Sequence, residues 1–309
     1  MFSFFPHLLG IRVFISFVGL VGNVFLIFSI VQTTISRVKS FEFFLLGLAA
    51  ANLEEILIVN IYDIIIYQTS SAATSNWLCR SLKFLTMFGE ISSILFTVLI
   101  SVYRYQKLRD ADKRVQAQIY LDSIRSAKMM TGVCVSFSVL LSLPIFVMRV
   151  RGSAENGTSS STGCPPDFFQ CDRDNCDLVN GIYKYLFILL CNLLPLIIVT
   201  VTGCLIVSVT LSQRKTVTPA VSVSGASQLA RRRRRDPRLQ RSTIAVLAAM
   251  GLFQVDWTLY LIFQLSFSPH DFPFWAEMEF FISTSYTSIS PYVYGMGNNL
   301  FSLKALIKK

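Results

Sequence analysis

The sequence predicts an all-α membrane protein, a seven-transmembrane helix bundle with a short amphipathic helix at its C-terminus. Of its 309 residues, 53% are hydrophobic and only 15% are charged, and the mean hydropathy is +0.55. Water-soluble domains contain nearer a quarter of charged residues. Several blocks without Asp, Glu, Lys or Arg exceed the roughly 20 residues that cross about 30 Å of hydrocarbon as a helix. The chain is therefore expected to fold within a lipid bilayer.

The predicted spans follow one another along the whole chain. Four contain uncharged blocks, which are 13–36, 129–148, 185–213 and 280–303. Three more contain isolated acids in long apolar stretches, which are 41–67, 82–105 and 243–267. We expect a single domain over residues 1–309, with spans at about 8–35, 41–67, 82–105, 128–148, 182–211, 243–267 and 274–296. Helices of this length leave loops too short for a separate soluble catalytic domain.

Basic residues are distributed unequally between the two sides of these spans. With the N-terminus outside, the inner segments hold 21 Lys and Arg and the outer segments hold seven. This bias predicts a multi-pass plasma-membrane protein with an extracellular N-terminus. The run Arg231–Arg235 fits a topology signal or contact with anionic lipids better than nucleic-acid binding. The first helix is expected to be the targeting signal, because no cleavage site follows a charged leader.

Four cysteines lie on the predicted outer side, and the other three lie within spans. An even number in an oxidising compartment indicates disulfides, and the sequence does not choose among the three pairings of Cys79, Cys164, Cys171 and Cys176. A bridge from Cys79 to the loop after helix four would close about 90 residues, a stabilisation of about 4–5 kcal/mol through loop-closure entropy. Asn156, in the same loop, begins an Asn-Gly-Thr glycosylation acceptor.

Two inner segments differ in composition from the spans. The connection 212–241 is rich in Ser and Thr before its Arg cluster and is not expected to bury a core. The segment 298–309 mixes Leu, Phe and Ile with lysines, which is typical of a short amphipathic helix on the inner membrane face. A frayed tail is the alternative for the second segment.

Landmarks in several helices now resemble the class A G protein-coupled receptor pattern. They are Gly22-Asn23, the stretch from Leu48 to Leu53, Tyr103-Arg104-Tyr105, Pro195 and the stretch from Ser290 to Tyr294. Cys79 and Arg104 are 25 residues apart, the separation that this family shows between its helix-three disulfide cysteine and its cytoplasmic arginine. At 1.5 Å per residue this is about 37 Å, one membrane face to the other. The resemblance covers all seven helices and implies a heterotrimeric G protein as partner.

The sequence departs from that pattern in ways that suggest a branch of the family. Tyr103 replaces an acid, Asn52 replaces the helix-two Asp, Ser290 replaces the helix-seven Asn, and helix six has no proline. This degenerate pattern is similar to the vomeronasal type-1 receptors, especially the fish olfactory receptors related to class A. Type 2 bitter taste receptors are the nearest alternative. The resemblance implies a small-molecule odorant or pheromone and a G protein of the inhibitory family.

Acids inside the spans are candidate functional residues, because a charge at mid-bilayer costs about 2.5–3.5 kcal/mol on insertion scales. Glu90 lies 14 residues, or about 21 Å, on the outer side of Arg104 and hence near mid-membrane. Thr86 and Lys83 precede it on the same helix face, so the three side chains could line one ligand pocket. A structural hydrogen bond or a neutral, protonated acid is the alternative for Glu90.

Further candidates lie on helices six and seven. Asp256 and Trp257 could form the floor of the pocket, or Asp256 could have a serine or amide partner. Glu279, near the outer end of helix seven, joins the candidate ligand-binding residues, although a solvated rim position is the usual interpretation. The acids would suit amine or hydroxyl donors, whereas Lys83 and two arginines near the outer mouth would suit an anion.

A sodium ion is the one metal that the resemblance raises. In typical members an acid of helix two and a serine of helix three hold this ion, but Asn52 replaces that acid here and Ser93 stands 11 residues before Arg104. Glu55 shares a helix face with Asn52, and whether it restores the ion site is open. No other metal and no cofactor is predicted.

At the inner face, the resemblance implies that Arg104 is released on activation to meet a G protein. Tyr294 would swing inward from the region of Pro291. Tyr103 cannot make the ion pair that an acid would make, so Arg104 must be restrained by other groups or only weakly. If Arg104 is only weakly restrained, high basal activity is expected.

Other protein classes fit the sequence less well. A metal-dependent membrane hydrolase needs converging ligands, but the only histidines, His7 and His270, are predicted at or outside the membrane edge. A retinal-binding photoreceptor needs a lysine in helix seven, and no lysine lies between Lys184 and Lys304. We therefore predict no enzyme. A transporter or channel is the remaining alternative, which charge movement without a G protein would reveal.

Overall fold

The computed structural model describes residues 5–32, 39–68, 76–113, 123–148, 169, 176–215, 237–267, 275–298 and 300. In chain order these residues form α1 (Phe5–Val31), α2 (Ser40–Gln68), α3 (Asn76–Lys113), α4 (Ile124–Ser142), α5, α6 (Pro237–Ser266) and α7 (Trp275–Gly297). The stretches Leu178–Phe187, Ile188–Leu193 and Leu194–Lys215 together form α5, and a 3-10 turn, Leu143–Phe146, extends α4. The described part of the chain contains no strand, which confirms the predicted all-helical fold class.

Helices α1 to α6 are long and apolar enough to cross a membrane. Helix α7 has the length but is less apolar, because six Ser and Thr residues lie between Ser283 and Ser290. Several of these hydroxyl groups are buried against the other helices, among them Thr284, Thr287, Ser288 and Ser290. The absence of charged residues in 280–303 therefore predicts helix α7 better than the mean hydropathy of that helix does.

Helix α3 is longer than the span predicted at 82–105. It runs from Asn76 to Lys113, because charged residues end an apolar stretch without interrupting backbone hydrogen bonding. Near its outer end, Arg80 donates hydrogen bonds to the carbonyl oxygens of Phe146 (2.6 Å) and Met148 (3.2 Å). These bonds satisfy carbonyl groups left open where α4 and its 3-10 extension end, and they join α3 to α4.

Close helix contacts depend on two glycines in particular. A Cβ atom on Gly22 of α1 would lie 2.6 Å from the ring of Tyr292 and 3.0 Å from the ring of Pro291, both on α7. A Cβ atom on Gly89 of α3 would collide with Oε2 of Glu54 and lie 3.0 Å from Cβ of Glu55, both on α2. The missing side chains therefore allow α1 to approach α7 and α2 to approach α3.

Helix α5 changes its winding in the middle. The stretch Ile188–Leu193 is π-helical, and the α-helix resumes at Leu194, just before Pro195. A π-helical turn holds an extra residue. As a result Cys191 and Asn192, which are adjacent in sequence, are both buried. The outer part of α5 packs through Tyr183 and Phe187 against Phe169, and the hydroxyl of Tyr183 donates to the carbonyl of Leu141 on α4 at 2.6 Å.

Some predicted features concern residues outside the described ranges. These are the glycosylation acceptor Asn156, Cys164 and Cys171, most of the connection 212–241, and the C-terminal segment apart from Asn298 and Leu300. Cys79 and Cys176 are both disulfide-bonded. The pairing among the four outer cysteines stays a prediction.

Candidate functional site

Glu90 lies in the interior of the bundle, with 7% of its surface exposed. Its Oε1 atom is buried and has no hydrogen-bond partner among the described residues. The charge of Glu279 on α7 acts on it most strongly, followed by that of Lys83 on its own helix. Glu90 in turn acts electrostatically on Tyr183 and Cys191 of α5. The carboxyl group is therefore buried in the bundle with an acceptor atom that no described donor reaches.

The other ligand-binding candidates near Glu90 in the sequence lie on α3 and α7. Lys83 and Thr86 are both half-buried, two turns and one turn outward from Glu90. The Thr86 hydroxyl donates to the carbonyl oxygen of Leu82 at 3.0 Å, a bond within its own helix. Glu279 is half-buried and accepts a hydrogen bond from Nε2 of Gln264 on α6 at 3.1 Å. The structure thus gives Thr86 a local bond and Glu279 a partner on α6.

Asp256 and Trp257 belong to a neighbouring cluster between α6 and α7. Asp256 accepts a hydrogen bond from the Ser285 hydroxyl at 2.9 Å, so it has the serine partner that the sequence left as an alternative. Trp257 is buried and packs against Phe253 and Tyr260, with ring centroids 5.8 and 5.1 Å apart. Its indole Nε1 has no hydrogen-bond partner among the described residues. That N–H group is a donor still open to a ligand.

The adjacent acids of α2 have different surroundings. Glu55 is buried, and the charges of Glu90 and Glu54 both act on it. Glu54 is half-buried, yet neither of its carboxylate oxygens has a partner in the described part of the protein. Gly89 faces both of them. Glu55 therefore extends the group of acids around Glu90 from a third helix.

At the position where the resemblance raises a sodium site, protein groups bond to one another. Asn52 donates to Oδ1 of Asn23 (3.3 Å) and to the hydroxyl of Ser290 (3.2 Å), and it accepts from the hydroxyl of Ser93 (2.7 Å). Asn23 also donates to the carbonyl of Thr287 at 3.0 Å. We call Asn23, Asn52, Ser93 and Ser290 the amide network. It joins α1, α2, α3 and α7, and Glu55 is not part of it.

Arg104 is 8% exposed and has three partners on other parts of the chain. Its guanidinium donates to the hydroxyl of Ser242 on α6 and to Oδ1 of Asn298, which follows α7, at 3.2 Å. It also lies over the ring of Phe41 on α2, 3.7 Å from the ring centroid. Ser242 donates to the same Asn298 oxygen. The sequence left open whether Arg104 is restrained by groups other than an acid or only weakly, and these neutral groups contact it.

The other predicted activation residues lie next to this arrangement. Tyr103 is buried and packs on Phe41 and Phe44, with ring centroids 6.0 and 5.7 Å away. Tyr294 is fully buried, and its hydroxyl interacts with that of Tyr286 on the same helix. Pro291 lies within α7, one turn before Tyr294.

Sequence reasoning missed several residues of these sites. Arg104 contacts Ser242, Asn298 and Phe41, which are distant from it in the sequence. No sequence motif connected these residues with Arg104. Asn192 is 2% exposed, and neither atom of its amide has a partner among the described residues. Asn192 lies in the uncharged block 185–213, and a lone amide in such a span was a signal that the sequence offered.

No three His, Cys, Asp or Glu side chains in the described part of the chain lie close enough together to hold a metal ion. The sequence matches the family model described as 7 transmembrane receptor (rhodopsin family) over residues 22–294. This match includes the amide network from Asn23 onward, Glu90, Arg104 and Tyr294. It is a match to the family as a whole and does not select a branch. No curated protein matches the chain.

Proposed function

We propose that this chain, which belongs to the rhodopsin family of seven-transmembrane receptors, is a chemosensory receptor for a small odorant or pheromone. As a member of that family it is a G protein-coupled receptor and a multi-pass membrane protein. Such receptors are typically signalling proteins rather than enzymes. The vomeronasal type-1 branch, the plasma membrane and an extracellular N-terminus belong to the proposal, as do the disulfide pairing and the glycosylation of Asn156.

One observation carries the proposal. Helix α3 carries Glu90, whose buried Oε1 atom has no partner among the described residues, and Arg104, which is restrained by its contacts; the two lie about 21 Å apart along the helix axis. The first group is open to a ligand, and the second is held by α6 and by the residue that follows α7. A rearrangement of α6 relative to α3 would therefore change the contacts of Arg104.

The mechanism follows from the differential affinity of a ligand for two states. In the structure Ser242 bonds to Arg104, so α6 lies against α3 at the inner face. A ligand that binds better when α6 has moved away would shift the population toward that state. Arg104 would lose Ser242 and become available to a G protein, for which we propose the inhibitory family. Type 2 bitter taste receptors remain the alternative branch.

The test is ligand-stimulated GTP exchange with inhibitory-family and promiscuous G proteins. Wild type is compared with Arg104→Ala across small cationic, anionic and neutral compounds at equal surface expression. Arg109→Ala is the matched control, because Arg109 is an exposed arginine that pairs with its neighbour Asp110 at 3.5 Å. We expect a response in wild type and in the control and its loss in Arg104→Ala. Demonstrated ligand binding with no exchange on any G protein would reject the coupling, and charge movement would then favour a transporter or channel.

A further inference from the structure

A hydrogen bond joins α3 and α7 in the middle of the bundle. The hydroxyl oxygens of Thr97 on α3 and Tyr286 on α7 are 2.7 Å apart. Both residues are almost completely buried, with 0% and 1% of their surface exposed. Thr97 lies seven residues, or about 10 Å along the helix axis, on the outer side of Arg104 and the same distance on the inner side of Glu90. The bond therefore lies halfway between the two residues of α3 that the proposed function connects.

The direction of this bond follows from the number of protons available. The Thr97 hydroxyl has one proton and donates it to the backbone carbonyl oxygen of Ser93 at 2.9 Å. Its oxygen then accepts from Tyr286, so the tyrosine hydroxyl is the donor of the bond between the helices. The distance of 2.7 Å is typical of an O–H···O bond. If the bond breaks, Thr97 keeps Ser93 as a partner, whereas Tyr286 needs another acceptor for its proton.

Two further contacts connect Tyr286 with the parts of the receptor that are expected to move. Its ring packs edge-on against that of Phe253 on α6, with ring centroids 5.5 Å apart. Its hydroxyl also interacts with that of Tyr294, eight residues further along α7. A movement of α6 would take Phe253 away from one side of the tyrosine ring, and Tyr294 offers an alternative acceptor. Tyr286 can therefore exchange one partner for another without leaving its buried hydroxyl unpaired.

We propose that the hydrogen bond from Tyr286 to Thr97 is an uncharged lock that holds α7 to α3 in the inactive state. Thr97 and Tyr286 are positioning residues, because they act on Arg104 and Tyr294 through the helices that carry them. The inference rests on the proposed function and extends its mechanism from the inner face to the middle of the bundle. Release of the lock favours the state in which Arg104 has lost Ser242.

The two partners predict unequal effects when they are changed one at a time. Thr97→Val keeps the shape of the side chain but leaves the Tyr286 hydroxyl without its acceptor in the inactive state. We therefore expect GTP exchange without ligand to rise about tenfold. Tyr286→Phe leaves Thr97 bonded to Ser93, so we expect a rise of only about two- to threefold. Thr97→Ser keeps the hydroxyl and is expected to behave as wild type.

The double variant distinguishes a lock from a general loss of packing. With Thr97→Val and Tyr286→Phe together no hydroxyl is left unpaired, so basal exchange is expected to fall back to the level of Tyr286→Phe. Two independent packing defects would instead multiply their effects. Thr131→Val and Tyr185→Phe are matched controls that are expected to equal wild type. The Thr131 hydroxyl has no partner among the described residues, and Tyr185 is 66% exposed.

The experiment uses the full-length receptor in lipid nanodiscs without ligand. GTP exchange on inhibitory-family and promiscuous G proteins is measured beside the distance between spin labels at Arg109→Cys on α3 and Ile244→Cys on α6. Both positions are exposed, and Cys204→Ser removes an exposed free cysteine from the background. We expect longer distances between the labels to be more populated in Thr97→Val than in wild type. Wild-type exchange and distances in both Thr97→Val and Tyr286→Phe, or a double variant more active than Thr97→Val, would each overturn the proposal.

The two readouts distinguish a failure of this inference from a failure of the proposed function. If the labels move apart in Thr97→Val while no G protein responds to any variant, the lock stands and the coupling is wrong. If a ligand drives exchange that requires Arg104, while Thr97→Val keeps the basal exchange and label distances of wild type, the coupling stands and the lock is wrong.

Discussion

The amide network and the carboxyl group of Glu90 are both buried polar features of the bundle, yet their hydrogen bonding differs. In the amide network Asn52 bonds to side chains from three other helices at 2.7–3.3 Å. The Oε1 atom of Glu90 has no partner in the described residues. Amides and hydroxyls both donate and accept, so they can satisfy one another, whereas ionised carboxylates only accept. The amide network therefore joins helices through paired groups, whereas Glu90 leaves an acceptor open.

The largest expected effect is the loss of the amide network. Asn52→Ala removes bonds to Asn23, Ser93 and Ser290 and leaves their polar atoms buried without that partner. We expect the variant to be less stable by about 2–4 kcal/mol, because each orphaned buried group costs about 1–3 kcal/mol and the groups relax in part. Thermal unfolding of purified receptor in nanodiscs measures this. A melting temperature equal to that of wild type would show that the network is not structural.

A smaller loss of stability is expected at Gly89, where α2 and α3 approach each other. Gly89→Ala places a Cβ atom 3.1 Å from the Cα of Glu55, in addition to its contact with Glu54. The helices must separate slightly, and we expect a loss of about 1–3 kcal/mol. Gly132→Ala is the control, because a Cβ atom there meets nothing within 4 Å. The control should be neutral or slightly more stable in the same unfolding assay. Equal melting temperatures for the two variants would contradict the close approach.

The restraint on Arg104 predicts a change in signalling rather than in stability. Ser242→Ala removes one hydrogen bond to the guanidinium and leaves Asn298 and Phe41 in place. We expect GTP exchange without ligand to rise about fivefold, which corresponds to about 1 kcal/mol between the two states. Ser208→Ala, on an exposed face of α5, is the control. Unchanged basal exchange would show that Ser242 does not hold the inactive state.

The smallest effect has the opposite sign to that of Asn52→Ala. Glu90→Gln replaces an unpartnered buried acid by a neutral side chain of the same shape. We expect the ligand-free receptor to keep its stability or to gain up to about 1 kcal/mol, because no hydrogen bond of the described residues is lost and a charge need not be buried. Thermal unfolding beside Glu277→Gln checks the sign. A loss of more than about 1 kcal/mol would assign Glu90 to the structure rather than to a ligand.

The fold was largely accessible from the sequence. Blocks without charge locate the helices, and the separation of 14 residues predicts Glu90 near mid-membrane and Arg104 at the inner face. The partners of Arg104 were not accessible, because Ser242 and Asn298 are 138 and 194 residues away along the chain. Neutral hydroxyl and amide groups carry no charge pattern that would identify them.

The π-helical stretch Ile188–Leu193 has a consequence for how receptors of this shape diversify. Its surplus residue can be deleted without breaking α5, because the wide turn would become an ordinary α-helical turn and the parts on either side would keep the faces that they present to the bundle. The inner part, where Thr202 bonds to Ser101 at 3.2 Å, would keep its register. A deletion of Leu189 is therefore expected to leave the response in the exchange assay intact. In evolutionary terms, the stretch is a point where α5 can gain or lose one residue while its two halves keep their contacts.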